Sequence, residues 1–361
     1  MPVIVDPDNL RLAFWKARKG KDTRPEVNEF RADLDNHLLQ LRKELLSGKI
    51  NAGNYTYFKV YDPKERLICA APFRERVLHH ALMNICHPRF EKFQLAESYA
   101  TRPGKGQYAA LEKAHKHVKQ YRWFCKLDVR KFFDSINHEV LYSLLCRKFK
   151  DPVLLEIFRQ IIDSYASAPG RGLPIGNLTS QYFANFYLSA ADHYIKEVLQ
   201  VPAYVRYMDD MVLWHSDKQL LLKAAEKLEI YIRCSLKMEL KPQCVNTVDR
   251  GVPFLGYVLF PEVVRLNKNS KKRFLRKYKK YEEKLRSGSW SQQEYACHIL
   301  PLMAFTRFAD ARNFRRKMIE KMETSQKALT ACNGVGTGTT TRRTAVPPIA
   351  TTTPLLTVTT T

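Results

Sequence analysis

The chain has 361 residues, 45% of them hydrophobic, enough for two or three subdomains around a sizeable core. Its formal net charge of +24 excludes an ordinary neutral surface and points to a polyanionic partner, most simply nucleic acid. No apolar run reaches membrane-spanning length, no signal peptide is expected, and eight cysteines without a CxxC pair read as small reduced core residues of a cytosolic protein.

In chain order, residues 7–50 read as largely helical. Leu10, Leu12, Ala13 and Trp15 open an amphipathic pattern, and Val27, Phe30, Leu34, Leu38, Leu41 and Leu45 continue it at spacings of three and four. Lys16 to Lys21 is basic, carries Gly20 and precedes Pro25, so a loop is expected there. Residues 55–70 change period. Tyr55 to Tyr61 is rich in aromatic residues, Asp62-Pro63-Lys64-Glu65 marks a turn, and Leu67 to Ala70 resumes a strand. Lys64, Arg66, Arg74 and Arg76 crowd this hairpin, with charge suited to a triphosphate or a nucleic-acid backbone. Residues 74–97 return to a helical pattern. Ser98 to Gly106 then forms a Gly/Lys loop before a helix, whose amides could cradle phosphate. It does not fit GxxxxGK[ST], which disfavours an ordinary P-loop ATPase.

Trp123-Phe124-Cys125-Lys126-Leu127-Asp128 reads as a buried strand ending in a carboxylate. Arg130 to Ile136 follows, then a helical stretch to about Ser164. Gly170 to Gln181 is glycine-rich and opens an apolar helix holding Tyr182, Phe183, Phe186, Tyr187 and Leu188. Glycine there lets backbone approach a bound nucleotide closely. Val205 to Trp214 reads as two short strands meeting at a tight turn, with Asp209 and Asp210 at its tip. Residues 217–236 look like an amphipathic helix, and Met238 to Pro242 and Val252 to Phe260 like strands. Lys271, Lys272, Arg273, Arg276 and Lys277 open a strongly basic helix, and Arg312, Arg315, Arg316 and Lys317 a second; two such faces favour contact with nucleic-acid backbone. Residues 331–361 are Thr-rich with Gly and Pro and are expected to be disordered.

Two adjacent aspartates repel each other unless a cation sits on them. Asp128, Asp209 and Asp210, converging from adjacent strands, could hold two Mg²⁺ ions about 3.5–4 Å apart that clamp an in-line phosphoryl transfer. The histidines, including His79-His80 and His115/His117, complete no zinc spacing.

The order of strand-Asp128, Gly176-x-x-x-Ser180, Tyr207-Met208-Asp209-Asp210 and Phe254-Leu255-Gly256-Tyr257 resembles reverse transcriptases, from about residue 8 to about 325. Ile175-Gly176-Asn177-Leu178-Thr179-Ser180-Gln181 resembles those of diversity-generating retroelements, where most other reverse transcriptases carry Gln at the first position and Pro at the sixth or next. Ser98-Tyr99-Ala100 and Pro72 to His80 also resemble that subfamily. Asn137 departs from it, standing where the subfamily often has Asp.

The resemblance implies an α+β right-hand polymerase fold: an N-terminal helical segment at 1–50, fingers at 51–97 and 140–172, a palm with an antiparallel sheet at 98–139 and 173–260, and a basic helical thumb at 261–330. It makes Asp128, Asp209 and Asp210 ligands of two Mg²⁺ ions, with Mn²⁺ as a substitute, and puts the Val129 backbone beside the triphosphate. Arg66, Arg74, Phe133, Ile175, Gly176, Gln181 and Lys241 become nucleotide-binding candidates. Phe133 is the bulky residue that blocks a 2′-OH, and Lys241 a candidate acid for the departing pyrophosphate. Phe254, Leu255, Gly256 and Tyr257 would be the primer grip. The implied partners are a template RNA and its cDNA, deoxynucleoside triphosphates and a small helical-bundle accessory protein, with no membrane, in a bacterial or phage-encoded cytoplasmic setting. A group II intron- or retron-like reverse transcriptase is the nearest alternative, and a catalytically silent RNA-binding scaffold is the alternative of another class.

Overall fold

The computed structural model describes residues 1–61, 65–318 and 320. Three helices come first: α1 (Pro7–Arg18), α2 (Pro25–Ala32) and α3 (Leu34–Ser47). Asp6 caps α1 by accepting from the Asp8 amide, and Pro7 fits the first turn, where no amide is needed. The loop expected from Lys16 begins later. α1 continues through Arg18, whose guanidinium lies 3.9 Å over the Trp15 ring, and the chain turns only at Gly20, with φ 72°.

Strands β1 (Thr56–Tyr61) and β2 (Glu65–Ala70) pair as the expected antiparallel hairpin; its turn at 62–64 lies outside the described residues. Helix α4 (Phe73–Phe93) packs along α1, and α5 (Gln107–Gln120) precedes β3 (Trp123–Asp128). The single helical stretch expected before Ser164 is three helices: α6 (Phe132–Ser135), α7 (His138–Lys148) and α8 (Pro152–Asp163). Pro152 cannot continue α7, and the Asp151 carboxylate caps α8 by accepting from the Leu154 amide. Helix α9 (Leu178–His193) is apolar on most sides and buried, as its composition predicts.

A four-stranded sheet follows, built from β3 with β4 (Ala203–Tyr207), β5 (Asp210–His215) and, after helix α10 (Lys218–Cys234), β6 (Cys244–Thr247). Its order is β4-β5-β3-β6, antiparallel throughout, and α5 and α10 pack on it. The strand expected at Met238 to Pro242 is only a bridge between Leu240 and Val129. Arg130 N donates to Glu239 O and Lys241 N to Asp128 O, and Pro242 has no amide to extend the ladder. β6 takes up the pairing with β3 beyond it.

The strand expected at Val252 to Phe260 is a hairpin, β7 (Val252–Phe254) and β8 (Tyr257–Leu259), and β9 (Val264–Leu266) adds a third strand that sequence pattern did not suggest. Leu255 and Gly256 form the two-residue turn with φ 47° and 91°, the left-handed pair that matches strand twist. Helices α11 (Lys268–Arg286) and α12 (Gln292–Arg307) pack on each other. Met1–Asp310 form one compact unit. In the following unit, residues 312–318 and 320 are helical and carry Arg312, Arg315, Arg316 and Lys317. The Thr-rich segment 331–361 lies outside the described residues.

The cysteines depart from expectation. Cys69, Cys86 and Cys125 are buried, Cys146 is half-buried, and Cys234, Cys244 and Cys297 are exposed; all seven are free thiols, and Cys332 lies outside the described residues. Among the described residues, no helix is long and apolar enough to cross a membrane.

Candidate active site

β4 and β5 are joined by two residues, Met208 and Asp209, with Tyr207 opposite Asp210 across the hairpin. Met208 takes φ 54°, which tight hairpins require at this position. On its other edge β5 pairs with β3 so that Asp210 stands directly opposite Asp128. Directly opposed residues hold their Cβ atoms about 4.5–5.5 Å apart. Strand register therefore brings Asp128, distant in sequence, to the adjacent pair Asp209 and Asp210.

Burial and repulsion raise the proton affinity of this group. The Asp210 carboxyl is pushed up to about 6, first by burial, against the pull of Lys126 and with added repulsion from Asp209 and Asp128. Asp209 is raised too, by burial and then by Asp128; its own backbone amide, Lys241 and Arg66 oppose this. Two lysines sit among them. Lys241 Nζ donates to Asp128 Oδ1 at 2.6 Å. Lys126 Nζ donates to Asp210 Oδ2 at 3.2 Å and to the Pro253 carbonyl at 2.8 Å. Asp210 Oδ1 is sealed from solvent without a hydrogen bond; the Lys126 ammonium approaches it at 3.1 Å as a charge only.

Among the described residues no three His, Cys, Asp or Glu side chains already close on a common point as a metal cage. The donor set nevertheless fits a hard divalent cation. It consists of carboxylate oxygens, one of them buried and unbonded, in a cluster whose members repel one another.

Behind the turn lies an element that sequence reading missed. Arg206 and Asp192 are both fully buried. Arg206 grips the Asp192 carboxylate through Nε at 2.7 Å and Nη2 at 2.6 Å. Its Nη1 donates to Asn185 Oδ1 at 2.7 Å and to the Met208 carbonyl at 3.2 Å, and its Nη2 also donates to Ser98 Oγ at 3.0 Å. Tyr204 adds a bond to Asp192 at 2.7 Å. α9, the Ser98 segment and the turn that carries Asp209 are thereby tied together.

The other candidates are placed as follows. Arg66, on β2, acts electrostatically on Asp209. Arg74 is paired with Glu44 of α3. Val129 is buried and bridges Leu240. Phe133 is half-buried, edge-on to Phe132 at 5.3 Å and packed against the core. Ile175 is half-buried, and its carbonyl accepts from the Cys69 amide at 2.8 Å, which docks the 175–177 segment on the β1–β2 hairpin. Gly176 has φ 118°, and a Cβ there would come within 3.0 Å of Ile68, so glycine is required for this close approach. Gln181 lines a separate cavity with Lys21 and Arg76. A wider cavity of about 570 Å³ is lined by Leu67, Arg130, Lys131, Asp134, Arg171 and Glu239 among others, none of them singled out by sequence for binding.

In the expected primer grip, Phe254 and Tyr257 are buried rather than exposed. Tyr257 packs 4.9 Å from Phe305 and donates to its carbonyl at 2.6 Å. Of these four residues Leu255 and Gly256 are half-buried, as are Pro253 and Val258 beside them. In the basic helix, Lys271, Lys272 and Arg276 are exposed, whereas Arg273 and Lys277 line a cavity of about 440 Å³ together with Phe305 of α12. The loop at 98–106 turns its cations inward: Arg102 grips Glu91, and Lys105 donates to the Ala96 carbonyl.

A carboxylate triad set by antiparallel register, flanked by cations, defines the palm of a nucleic-acid polymerase. The sequence profile of the family "Reverse transcriptase (RNA-dependent DNA polymerase)" matches residues 61–259, and the chain belongs to this family. Its relatives include the "Uncharacterized 91 kDa protein in cob intron" of Schizosaccharomyces pombe, 27% identical over 141 residues, covering 37% of this chain and 17% of that protein. Another is the group II intron-encoded protein LtrA of Lactococcus lactis subsp. cremoris, 23% identical over 212 residues, covering 54% of this chain and 35% of that one. Among solved structures, apo telomerase from Candida tropicalis truncated of its C-terminal domain aligns with a TM-score of 0.47 at 12% identity, over 60% of this chain and 55% of that chain. The chain spans less than half the length of the curated relatives it matches.

Proposed function

We propose that the chain is an RNA-directed DNA polymerase that extends a primer on an RNA template, with deoxynucleoside triphosphates as substrates. The observation that carries this is the opposition of Asp128 and Asp210 across β3 and β5, with Asp209 at the adjoining turn, in a member of the reverse transcriptase family. Asp128, Asp209 and Asp210 would hold two Mg²⁺ ions, or Mn²⁺, which supply a clamp on the attacking and leaving oxygens of phosphoryl transfer. The chain's own residues do the rest. Arg66 offsets negative charge next to Asp209. Lys241 keeps an ammonium against Asp128, where it would serve as the acid for departing pyrophosphate, and Lys126 ties Asp210 to the backbone of the β7–β8 hairpin. The exposed cations of α11 attract phosphate backbone. Poly(rA) primed with oligo(dT) should support dTMP incorporation in Mg²⁺; none in any divalent metal would refute the reading.

Phe133 is the steric guard against a ribose 2′-OH in this reading. Phe133→Ala is expected to raise ribonucleotide use relative to deoxynucleotide use about tenfold or more, since a bulky side chain rejects an added hydroxyl sterically, while pocket discrimination is otherwise worth about 1–3 kcal/mol. Competition assays measure the ratio, and an unmoved ratio assigns Phe133 to the core alone.

Within the family we propose a diversity-generating retroelement enzyme that makes adenine-mutagenic cDNA from a template-repeat RNA, with a helical-bundle accessory protein in a bacterial or phage-encoded cytoplasmic setting. The Ile175 to Gln181 segment supports this. Ile175 cannot hydrogen-bond a nascent pair, so geometry there is policed less tightly. Ile175→Gln is expected to lower errors opposite template adenine several-fold in sequenced cDNA; an unchanged spectrum removes the role. The second reading, a group II intron-type reverse transcriptase, is favoured by relatives such as the intron-encoded protein LtrA and a nuclear intron maturase of Arabidopsis thaliana.

A further inference from the structure

A small polar cavity lies at the start of α9. It measures about 180 Å³, and Lys21, Arg76, His79, His80, Asn177 and Gln181 line it. The loop after α1, the first turns of α4 and the N-terminus of α9 meet there.

Its charge is positive and crowded. The Lys21 ammonium is held below the usual lysine range by burial and by its neighbours Arg76 and Arg24. Glu26 is the carboxylate acting on Lys21, and it is already engaged by Arg76 at 3.2 Å and Arg24 at 3.7 Å. Burial holds His79 at about 3 and His80 at about 4, so both rings are neutral at pH 7 and offer hydrogen bonds rather than charge. Glu75 lies 3.5 Å from His79, and burial raises its carboxyl above the usual range, which blunts its repulsion of an anion.

The backbone adds to this. No side chain caps the 16-residue helix α9, so the amides of its first turn present the positive end of the helix to the cavity. Asn177 occupies the N-cap position but caps nothing. It is 3% exposed, and its Nδ2 donor has no hydrogen-bond partner. A buried amide donor without an acceptor calls for one.

We propose that this cavity is a phosphate-binding site, held by Lys21, Asn177 and the first-turn amides of α9. The volume suits a single phosphate group rather than a whole nucleotide. The group is either a phosphodiester of a bound RNA strand or free inorganic phosphate, and none of Asp128, Asp209 and Asp210 lines the cavity.

Thermal unfolding of the full chain, followed in metal-free buffer with inorganic phosphate against chloride at equal ionic strength, tests the site without any need for polymerase activity. The melting temperature of the native chain should rise with phosphate, and Lys21→Gln and Asn177→Ala should each lose that rise. Binding of a single-stranded RNA across a salt series then separates the sources. A strand phosphate in the cavity makes the Lys21→Gln salt slope shallower by about 0.7, the contribution of one single-strand phosphate. An unchanged slope with a lost thermal response assigns the site to free phosphate. If Lys21→Gln does not fold, Lys21→Arg should keep the response that Asn177→Ala loses. A native chain that ignores phosphate, or variants that respond as it does, overturns the proposal.

Discussion

Asp209→Asn is expected to reduce nucleotide incorporation about a thousandfold or more while leaving the fold intact. The side chain sits at the two-residue turn between β4 and β5, beside the Asp128–Asp210 pair. Asparagine keeps its volume and removes its charge. Charge stabilisation by a metal clamp is worth several kcal/mol, and each 1.36 kcal/mol is tenfold in rate. Stability should respond in the opposite sense. Burial and the neighbouring carboxylates already raise Asp209 and Asp210, so the metal-free cluster repels itself. Metal-free Asp209→Asn should therefore melt at or above the native temperature. Mg²⁺ should stabilise the native chain and leave the variant unmoved, because a ligand raises stability only where it binds the folded state. Calorimetry with and without Mg²⁺, beside a single-turnover rate, reads both effects; near-native incorporation by the variant would remove Asp209 from the metal set.

Arg206→Met is expected to cost about 3–5 kcal/mol of stability, since it leaves the Asp192 carboxylate buried without its partner. Arg206→Lys should recover little. A lysine is a point charge and cannot reproduce the two-pronged grip on Asp192 while also reaching Asn185, Ser98 and the Met208 carbonyl. Arg206→Met with Asp192→Leu, which removes both charges, should recover stability but not activity, because the Met208 carbonyl at the catalytic turn still lacks its donor. Denaturant midpoints and extension rates on the three variants separate these effects. A midpoint for Arg206→Met within about 1 kcal/mol of native would show that the pair does not hold the turn.

The strands of the palm were readable because short apolar and β-branched runs flank the carboxylates, which stand at strand ends or in the turn between strands. What joins them was not readable. Arg206 has the pattern of a polar residue on a solvated face, and Asp192 that of an ordinary helix charge. Only packing of α9 against β4 reveals a buried pair. Lys126 stands two residues before Asp128, so strand alternation puts it on the same face, and that signal was available. Phe254 and Tyr257 were assigned to the primer by motif, but aromatic side chains flanking a tight turn pack inward when a helix such as α12 covers them. The exposed cysteines misled because a free thiol carries no mark of its depth. Pro242 did carry a mark against its assigned strand, and Pro152 against a single helix.

Strand register sets Asp128 against Asp210, and in the proposed function that opposition makes the chain a metal-dependent polymerase on an RNA template. The direct measurement is run-off extension of a primed heteropolymeric RNA by the chain and by Asp128→Asn, with Mg²⁺ titrated from zero. Full-length cDNA is expected from the native chain, rising with Mg²⁺ and absent without it, and no product above background from Asp128→Asn. Equal extension by the two proteins, or no extension by the native chain at any Mg²⁺ concentration, would contradict it.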